Sequence, residues 1–241
     1  MSVAENLAEV RRRIDQACAA ADRDPAEVRL LPVSKTKPPA VIKEAYDAGV
    51  RLFGENKVQE AVAKAELFAD VPDVRWAVIG HLQTNKAKQV AAVAAEFQAL
   101  DSLRLAEALD RRLHALDRSL DVFVQVNSSA EESKFGLPPE QVPEFARELE
   151  RFPSLRVRGL MTLAVFSDDA EQVGACFARM RDLRARLQDS DPRPDRWREL
   201  SMGMSGDYEL AIGYGATTVR VGQAIFGDRL DPNDYWPVGG R

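Results

Sequence analysis

Lys35 ends an alternating apolar segment and is the first residue whose position suggests chemistry. Leu31, Val33 and Lys35 share one parity, so in a strand the lysine continues the row of inward side chains. Partial burial at a strand end disfavours the charged form of an amine, and an uncharged amine can form a Schiff base with a carbonyl group. From position alone, a lysine that bridges carboxylates is an equal alternative. Lys37 lies one step further into the turn, where we expect it to face solvent.

A loop rich in serine and glycine is the second candidate. The segment Leu200-Ser-Met-Gly-Met-Ser-Gly-Asp207 follows a short apolar run and precedes a helical pattern, so backbone amides and hydroxyls converge as they do in anion sites. Gly222, at the end of Val219-Arg-Val-Gly222, lets the backbone approach a ligand closely. Taken alone, such a loop is more often a plain turn than a phosphate site.

A lysine that faces an anion site suggests a phosphorylated carbonyl compound held as an imine. A sugar phosphate and pyridoxal 5'-phosphate both fit, and composition does not choose between them. Arg220 lies inward near the end of the last apolar run. An arginine beside a pyridine nitrogen donates a hydrogen bond but does not readily surrender a proton, so a ring held this way is a weak electron sink.

Eight short apolar runs, separated by helical patterns, must position these residues. The runs are Val28–Val33, Arg51–Phe53, Val74–Ile79, Phe97–Leu100, Asp121–Val126, Val157–Leu160, Arg198–Leu200 and Thr218–Val221. One helical pattern precedes the first run at 3–18, and one follows each of the first seven runs, near 42–49, 58–68, 84–95, 103–116, 139–152, 170–187 and 206–213. Alternating units predict an α/β fold with a parallel sheet, and eight of them favour a closed (β/α)8 TIM-type barrel, with an open doubly wound sheet as the alternative.

The chain is predicted to form one domain over residues 1–241, with a leading helix at 1–22 and the barrel at 28–227. No composition shift or Ser/Gly linker divides it, and 188–196 is predicted to be a surface loop. The active face of such a barrel lies where strands end, and polar residues follow every run. They are Lys35, Glu55, Asn56, His81, Asp101, Ser102, Asn127, Thr162, Ser201, Arg220 and, with them, Gly222.

Composition limits the class of ligand. Lys and Arg number 33 against 38 Asp and Glu, without a basic stripe, which argues against nucleic acid and anionic membranes as partners and favours a small ligand. Cys18 and Cys176 lack the spacing of a disulfide framework or a zinc site, so we expect no metal. The N-terminus has no signal-peptide pattern and no apolar stretch approaches about 18 residues, so we expect a cytoplasmic protein.

Five segments together resemble the pyridoxal phosphate homeostasis proteins, single-domain relatives of the alanine racemase barrel. They are Val33-Ser-Lys-Thr-Lys-Pro38, Phe53-Gly-Glu-Asn56 with Gln59-Glu60, Ile79-Gly-His-Leu-Gln-Thr-Asn-Lys86, the 200–207 loop and Val219-Arg-Val-Gly-Gln-Ala-Ile-Phe-Gly227. They stand in the family's order and spacing over essentially the whole chain. Thr84 and Pro32 depart from the family's common Ser and Ala, and neither has an assigned role.

The resemblance implies a fold type III barrel that binds pyridoxal 5'-phosphate, a form of vitamin B6, and it implies a role for each site residue. Lys35 would carry the cofactor as a Schiff base and Arg220 would face the pyridine nitrogen. The phosphate would be held by Ser201, Gly203 and Gly222, and Asn56 would lie near the ring. His81 is left outside the site, because it fits a strand-loop junction equally well. Lys134, within Glu132-Ser-Lys-Phe-Gly136, is expected to be solvated.

The resemblance also bears on catalysis. The racemase relatives add a second base, a tyrosine from a separate β-domain of the partner, and we expect no such domain in this chain. The candidate tyrosines Tyr46, Tyr208, Tyr214 and Tyr235 match no such motif. We therefore expect a monomeric carrier that binds the cofactor and delivers it to apo-enzymes without catalytic residues of its own. A weak amino-acid racemase and a cofactor-free Schiff-base aldolase are the alternatives.

Overall fold

Eight parallel strands form a nearly closed barrel in the computed structural model, which describes residues 1–129, 131 and 134–227. They are β1 Arg29–Pro32, β2 Leu52–Glu55, β3 Arg75–Val78, β4 Ala94–Leu100, β5 Leu120–Gln125, β6 Leu155–Met161, β7 Glu199–Ser201 and β8 Thr218–Val221. Their order around the sheet is β1-β8-β7-β6-β5-β4-β3-β2, and one bridge between Val33 and Gly54 joins the two ends. The predicted α/β barrel is confirmed, whereas the extent of the domain stays a prediction because 228–241 lie outside the described residues.

Helices cover the outside of the sheet. They are α1 Val3–Ala20, α2 Pro39–Asp47, α3 Val58–Leu67, α4 Ala87–Val93, α5 Leu103–His114, α6 Val142–Glu148, α7 Ala170–Ser190, α8 Tyr208–Gly213 and α9 Gln223–Phe226. The leading helix is confirmed: Ser2 and Glu5 form a capping box at its start, and its predicted apolar face is buried. The hydrophobic core lies between this helical layer and the sheet.

The boundary between α4 and β4 differs from the prediction. A helix was expected over 84–95, but α4 ends at Val93 and β4 already begins at Ala94. Alanines favour a helix locally, whereas pairing of Ala94 with Trp76 on β3 extends the strand, so tertiary contacts override propensity. The earlier start of the strand makes Glu96 part of the barrel wall together with Gln98, which the predicted strand already contained.

The expected surface loop at 188–196 is also partly wrong. The helix α7 continues to Ser190, and a short 3-10 helix covers Pro194–Trp197. Trp197 is completely buried and its indole nitrogen donates to Asp191, so a large apolar side chain anchors this segment.

The interior of the barrel has an apolar side and a polar side. At Gly54 a Cβ atom would lie within 3.5 Å of Leu31, Val33 and Ile79, so these residues fill the space near the β1–β2 junction. The polar side is a continuous hydrogen-bonded chain across the barrel, described below. In the described part of the chain, no helix has the length and apolar character needed to span a membrane, and no group of three or more metal-ligating side chains is found.

Candidate functional site

Lys35 lies in a tight turn directly after β1. The amide of Lys37 donates to the carbonyl of Ser34 across 3.1 Å and closes this turn. The preceding residue Val33 donates to Val221 at the end of β8, and Ser34 donates to Gly54 on β2. The half-buried Lys35 therefore lies just beyond β1, beside the carboxyl ends of β8 and β2, and the inward direction expected from its parity stays a prediction.

Lys37 does not face solvent, so that prediction is wrong. Its side chain is buried, with 5% exposure, and Nζ donates to the carbonyl of Gly227 across 3.2 Å. Between the two lysines, Thr36 has φ +61°. This left-handed residue redirects the chain, so the strand parity used for Lys35 does not extend to Lys37.

A buried ionic network lies beneath the turn. Lys64 on α3 is completely buried, and its Nζ donates to Ser34 O, Glu55 Oε1 and Glu60 Oε1 at 2.7, 2.7 and 2.8 Å. The Ser34 hydroxyl donates to Glu55 Oε1, and the Thr36 amide donates to Glu60 Oε1 across 2.6 Å. These contacts hold the backbone on both sides of Lys35.

Burial raises the pKa of Glu55 to about 7, although the Lys64 ammonium acts in the opposite direction. The second carboxyl oxygen of Glu55 is buried and has no hydrogen-bond partner. Glu55 was expected at the rim, but it belongs to this network. Glu60 and Lys64 were not among the predicted site residues, and their separation by four positions on a helix was the signal that could have linked them.

Arg220 on β8 is the second buried cation of the site. It is 3% exposed, and its guanidinium donates to Ser201 Oγ and to the carbonyl of Thr162, both at 2.7 Å. Burial lowers the pKa of Arg220 to about 10, and the more distant carboxylate of Asp207 opposes this shift in part. Among the residues that the structure describes, no carboxylate is within ion-pair distance of Arg220.

Ser201 supports Arg220 through its side chain. Its hydroxyl accepts from Arg220 and donates to Gln98 Oε1 across 2.6 Å, so its single proton is already used. The chain continues from Gln98 Nε2 to Glu96, and Arg29 donates to both carboxylate oxygens of Glu96 at 2.8 and 3.0 Å. Sequence reasoning missed Glu96 because it placed the start of β4 at Phe97, and it missed Gln98, which lay within the predicted strand, because it considered only residues at strand ends.

Gly203 belongs to the predicted anion loop. It has φ +95°, and a Cβ atom there would lie 2.7 Å from the side chain of Ala211 and 2.9 Å from the backbone of Tyr208. Only glycine fits this position without displacing α8. The carbonyl of Gly203 accepts from the amide of Arg220 across 3.0 Å, so the loop is fixed beside β8.

Gly222 joins the loop to the lysine turn. Its amide donates to Ser205 Oγ across 3.4 Å, and a Cβ atom at Gly222 would lie 3.0 Å from the carbonyl oxygen of Val33. The anion loop, the end of β8 and the segment that leads to Lys35 are therefore in close contact. The structure brings four predicted site residues, at positions 35, 201, 203 and 220, onto the three adjoining strand ends that meet at Gly222.

Asn56 and His81 follow β2 and β3, on the side of the Lys35 turn opposite to β8. Asn56 is half-buried after β2, and a Cβ at Gly80 would lie 2.1 Å from its carbonyl oxygen, so the β3 loop packs against it. The His81 ring stacks on Phe135 with centroids 3.8 Å apart, and Nδ1 lies 3.3 Å from Asp101 Oδ2. These contacts fix the junction between strand and loop.

Lys134 is less exposed than expected. Its side chain is 24% exposed, and Nζ contacts Glu131 Oε2 at 2.7 Å and the carbonyl of Ala164 at 2.8 Å. The expectation of a solvated lysine is therefore wrong, because this side chain ties the β5 loop to the β6 loop. Two neighbours in the same motif, Glu132 and Ser133, lie outside the described residues, as does Tyr235.

Comparison with known proteins gives the family. The family model of the alanine racemase N-terminal domain matches residues 5–230. The chain is 45% identical over 228 residues to the pyridoxal phosphate homeostasis protein of Pseudomonas aeruginosa, covering 95% of the chain and 96% of the relative. It is 41% identical over 229 residues to that of Escherichia coli strain K12, covering 94% and 97%. The chain belongs to the pyridoxal phosphate homeostasis protein family.

Solved structures agree with this membership. PipY of Synechococcus elongatus PCC7942, solved with PLP bound, superposes with a TM-score of 0.83 and 39% identity over 94% of the chain and all of PipY. Alanine racemase of Clostridium difficile 630 superposes with a TM-score of 0.75 at 14% identity, over 98% of the chain and 59% of the racemase. The second likeness is one of fold. The predicted family resemblance is confirmed.

Proposed function

We propose that the protein binds pyridoxal 5'-phosphate through a Schiff base on Lys35, keeps it available in the cytoplasm and delivers it to apo-enzymes. The observation that carries this proposal is the buried Arg220, a cation without a carboxylate in contact among the described residues. A buried charge of this kind is stabilised by a ligand with a matching acceptor. The names of the relatives and the PLP-bound PipY support the choice of ligand.

Three groups of the chain fit three parts of the cofactor. The Lys35 amine suits the carbonyl, the glycine-rich loop with Gly222 suits the phosphate, and the remaining N–H groups of Arg220 suit the pyridine nitrogen. The bound cofactor would supply an electrophilic carbonyl conjugated to an electron-withdrawing ring. Because the Ser201 hydroxyl already serves Gln98 and Arg220, we assign the phosphate mainly to backbone amides and place Asn56 beside the ring.

The same residues argue against amino-acid turnover. A guanidinium whose pKa is about 10 stays charged at neutral pH, so Arg220 donates to the ring nitrogen without protonating it. The tyrosines of the described chain lie in the helical layer: the Tyr46 hydroxyl donates to Asp73, and Tyr214 packs on Phe177. Tyr208 is buried on α8. We therefore assign no catalytic residue.

Borohydride reduction of the loaded protein, followed by peptide mass mapping, tests the attachment site. We expect the adduct on Lys35 and the loss of visible absorption in Lys35→Ala. The matched control is Lys43→Ala, an exposed lysine of α2 paired with Asp47, which should retain both signals. An adduct found only on Lys37 or Lys134 would contradict the assignment. Absence of visible absorption in the wild type would instead favour the cofactor-free aldolase.

The phosphate assignment has its own test. Pyridoxal lacks the phosphate and should bind at least tenfold more weakly than its phosphate ester, because charge-assisted hydrogen bonds to backbone amides are lost. Equal affinity for the two compounds would exclude the proposed cradle. The native mass measured with and without cofactor should correspond to a monomer.

A weak racemase is the second candidate, because the barrel superposes on alanine racemase. The test is exchange of the α-proton of L- and D-alanine in deuterated buffer, with Lys35→Ala as the blank. We expect exchange far below that of an ordinary racemase, since a missing general base costs roughly two to four factors of ten. Efficient transfer of bound cofactor to an apo-enzyme would support the carrier, and racemase-like exchange would replace it.

A further inference from the structure

A second pocket lies at the opposite end of the barrel from Lys35. Arg29 and Glu199 are the first residues of β1 and β7, and both line a cavity of about 560 Å³. This volume is in the range of small-molecule sites. The charged side chains of its lining are Arg23, Arg29, Arg158, Arg184, Arg198, Glu27 and Glu199.

The lining carries more positive charge than its acids neutralise. Glu27 contacts Arg23 at 3.3 Å, and Glu199 contacts Arg158 at 3.2 Å. In the described part of the chain, neither Arg184 nor Arg198 has a carboxylate within ion-pair distance. Burial lowers the pKa of Arg184, and the charges of Arg23 and Arg181 lower it further. A chain with a net charge of −5 therefore concentrates uncompensated positive charge in one concavity.

We propose that this pocket binds a small polyanion of the di- or triphosphate class. Guanidinium groups match phosphate oxygens in pairs, and arginines supplied from β6, from α7 and from the position directly before β7 can contact more than one anionic group. A single sulfate or phosphate engages only part of the lining. The charge imbalance on one concave surface, rather than the number of arginines, points to a ligand.

The pocket is connected to the proposed cofactor site by the polar chain through the barrel. Arg29 lines the pocket and also donates hydrogen bonds to Glu96. Further hydrogen bonds join Glu96 to Gln98, Gln98 to Ser201 and Ser201 to Arg220. A polyanion that draws on Arg29 competes with Glu96. The hydrogen bonds that fix the Arg220 guanidinium then change, so occupancy of the pocket alters cofactor affinity. This second step rests on the proposed function.

Calorimetry of the cofactor-free protein with inorganic tripolyphosphate at fixed ionic strength tests the pocket. We expect saturable binding that is at least tenfold weaker in the double variant Arg184→Gln/Arg198→Gln. The matched control is Arg181→Gln, an exposed arginine of α7 paired with Asp182 at 3.0 Å, which should bind as the wild type does. The proposal is overturned if Arg181→Gln weakens tripolyphosphate binding as much as the double variant does, or if sulfate binds as tightly as tripolyphosphate. Either result would mean that general surface charge attracts the anion.

A nucleoside triphosphate titrated in parallel separates two sources of the same chemistry. Tighter binding than tripolyphosphate assigns the pocket to nucleotides, and equal binding assigns it to the phosphate chain alone. The coupling is measured as the change in pyridoxal 5'-phosphate affinity at saturating tripolyphosphate. We expect at least a fivefold change, matched by the same factor in tripolyphosphate affinity when the cofactor is bound.

Two results would overturn the coupling. If cofactor affinity is unchanged while tripolyphosphate binds, the two sites are not coupled. If tripolyphosphate still changes cofactor affinity in the Arg184→Gln/Arg198→Gln variant, it competes directly with the cofactor at the phosphate cradle. Gln98→Leu, which interrupts the chain, should abolish the coupling while tripolyphosphate still binds. If the cofactor itself does not bind, the proposed function fails, but the calorimetric result for the pocket stands independently.

Discussion

Lys64 and Arg220 are both buried cations beside the lysine turn and the last strand, yet their surroundings differ. Lys64 donates to two carboxylates and a carbonyl, so its charge and its hydrogen bonds are satisfied within the protein. Arg220 donates to a hydroxyl and a carbonyl and contacts no carboxylate among the described residues. We therefore assign the compensated Lys64 to the stability of the fold and propose that the uncompensated Arg220 contacts a ligand.

The strongest test of this contrast is Lys64→Met. Removal of one partner from a buried ionic network leaves Glu55 and the Ser34 carbonyl uncompensated, so we expect a loss of about 3–5 kcal/mol in the free energy of unfolding. Urea unfolding followed by circular dichroism measures it. Lys43→Met, at an exposed ion pair, should change stability by less than about 0.5 kcal/mol. Similar values for the two variants would contradict a structural role for the network.

The same network predicts a pH dependence. The pKa of Glu55 is raised from 4.5 to about 7, so between these values the folded protein binds more proton there than the unfolded chain does. The contribution of Glu55 is therefore greatest below pH 4.5 and is lost as the pH rises towards 7, with a slope of at most about 1.4 kcal/mol per pH unit. Glu55→Gln should remove this component. If the free energy of unfolding depends on pH in the same way in Glu55→Gln and in the wild type, Glu55 does not cause this pH dependence.

Arg220→Met should weaken cofactor binding strongly and change stability little, whereas Lys64→Met should mainly lower stability. Cofactor affinity should fall at least tenfold, because a hydrogen bond from a charged donor is worth about 1.5–3 kcal/mol. The unliganded protein should lose less than about 1 kcal/mol of stability, since removal of an uncompensated buried charge offsets the lost contacts with Ser201 and Thr162. Absorbance titration and urea unfolding measure the two effects. A large loss of stability with unchanged cofactor affinity would show that Arg220, like Lys64, has a structural role.

Thr36→Gly should have the smallest effect. Thr36 is β-branched at φ +61°, and its buried hydroxyl has no hydrogen-bond partner, so the network holds it in an unfavourable conformation. Glycine relieves that strain but adds freedom to the unfolded chain, for a net gain of up to about 1 kcal/mol. Asp117→Gly, at φ +49°, should gain less because aspartate tolerates this region better. A loss of stability in Thr36→Gly would show that the threonine side chain contributes packing.

Sequence reasoning succeeded where one element determines the answer. The apolar run Val28–Val33 predicts that Lys35 follows a strand, and the eight runs together predict the barrel, because each run is a local pattern. It failed where distant elements decide. Lys37 is buried because a left-handed Thr36 redirects the turn towards Gly227, which no local pattern shows.

The polar chain through the barrel was missed for a related reason. Alanines before Glu96 predict a helix, and only pairing with β3 converts them into strand. Gln98 already lay in the predicted strand, and once Glu96 joins it their shared parity places both side chains on the inner face. An error of three residues at one boundary thus concealed Glu96, the residue that links Gln98 to Arg29.

The closure of the barrel at Val33 and Gly54 provides a backbone site whose hydrogen exchange should respond to cofactor binding. A single bridge joins β1 to β2 there, and local opening of a fold begins where backbone pairing is sparse. Lys35 follows that bridge by two residues, so a ligand attached to it, as proposed above, would restrain the junction between β1 and β2. Amide hydrogen exchange at Ser34, whose amide donates to Gly54 across this junction, should therefore slow on loading, while exchange within the long pairing of β5 with β6 stays unchanged.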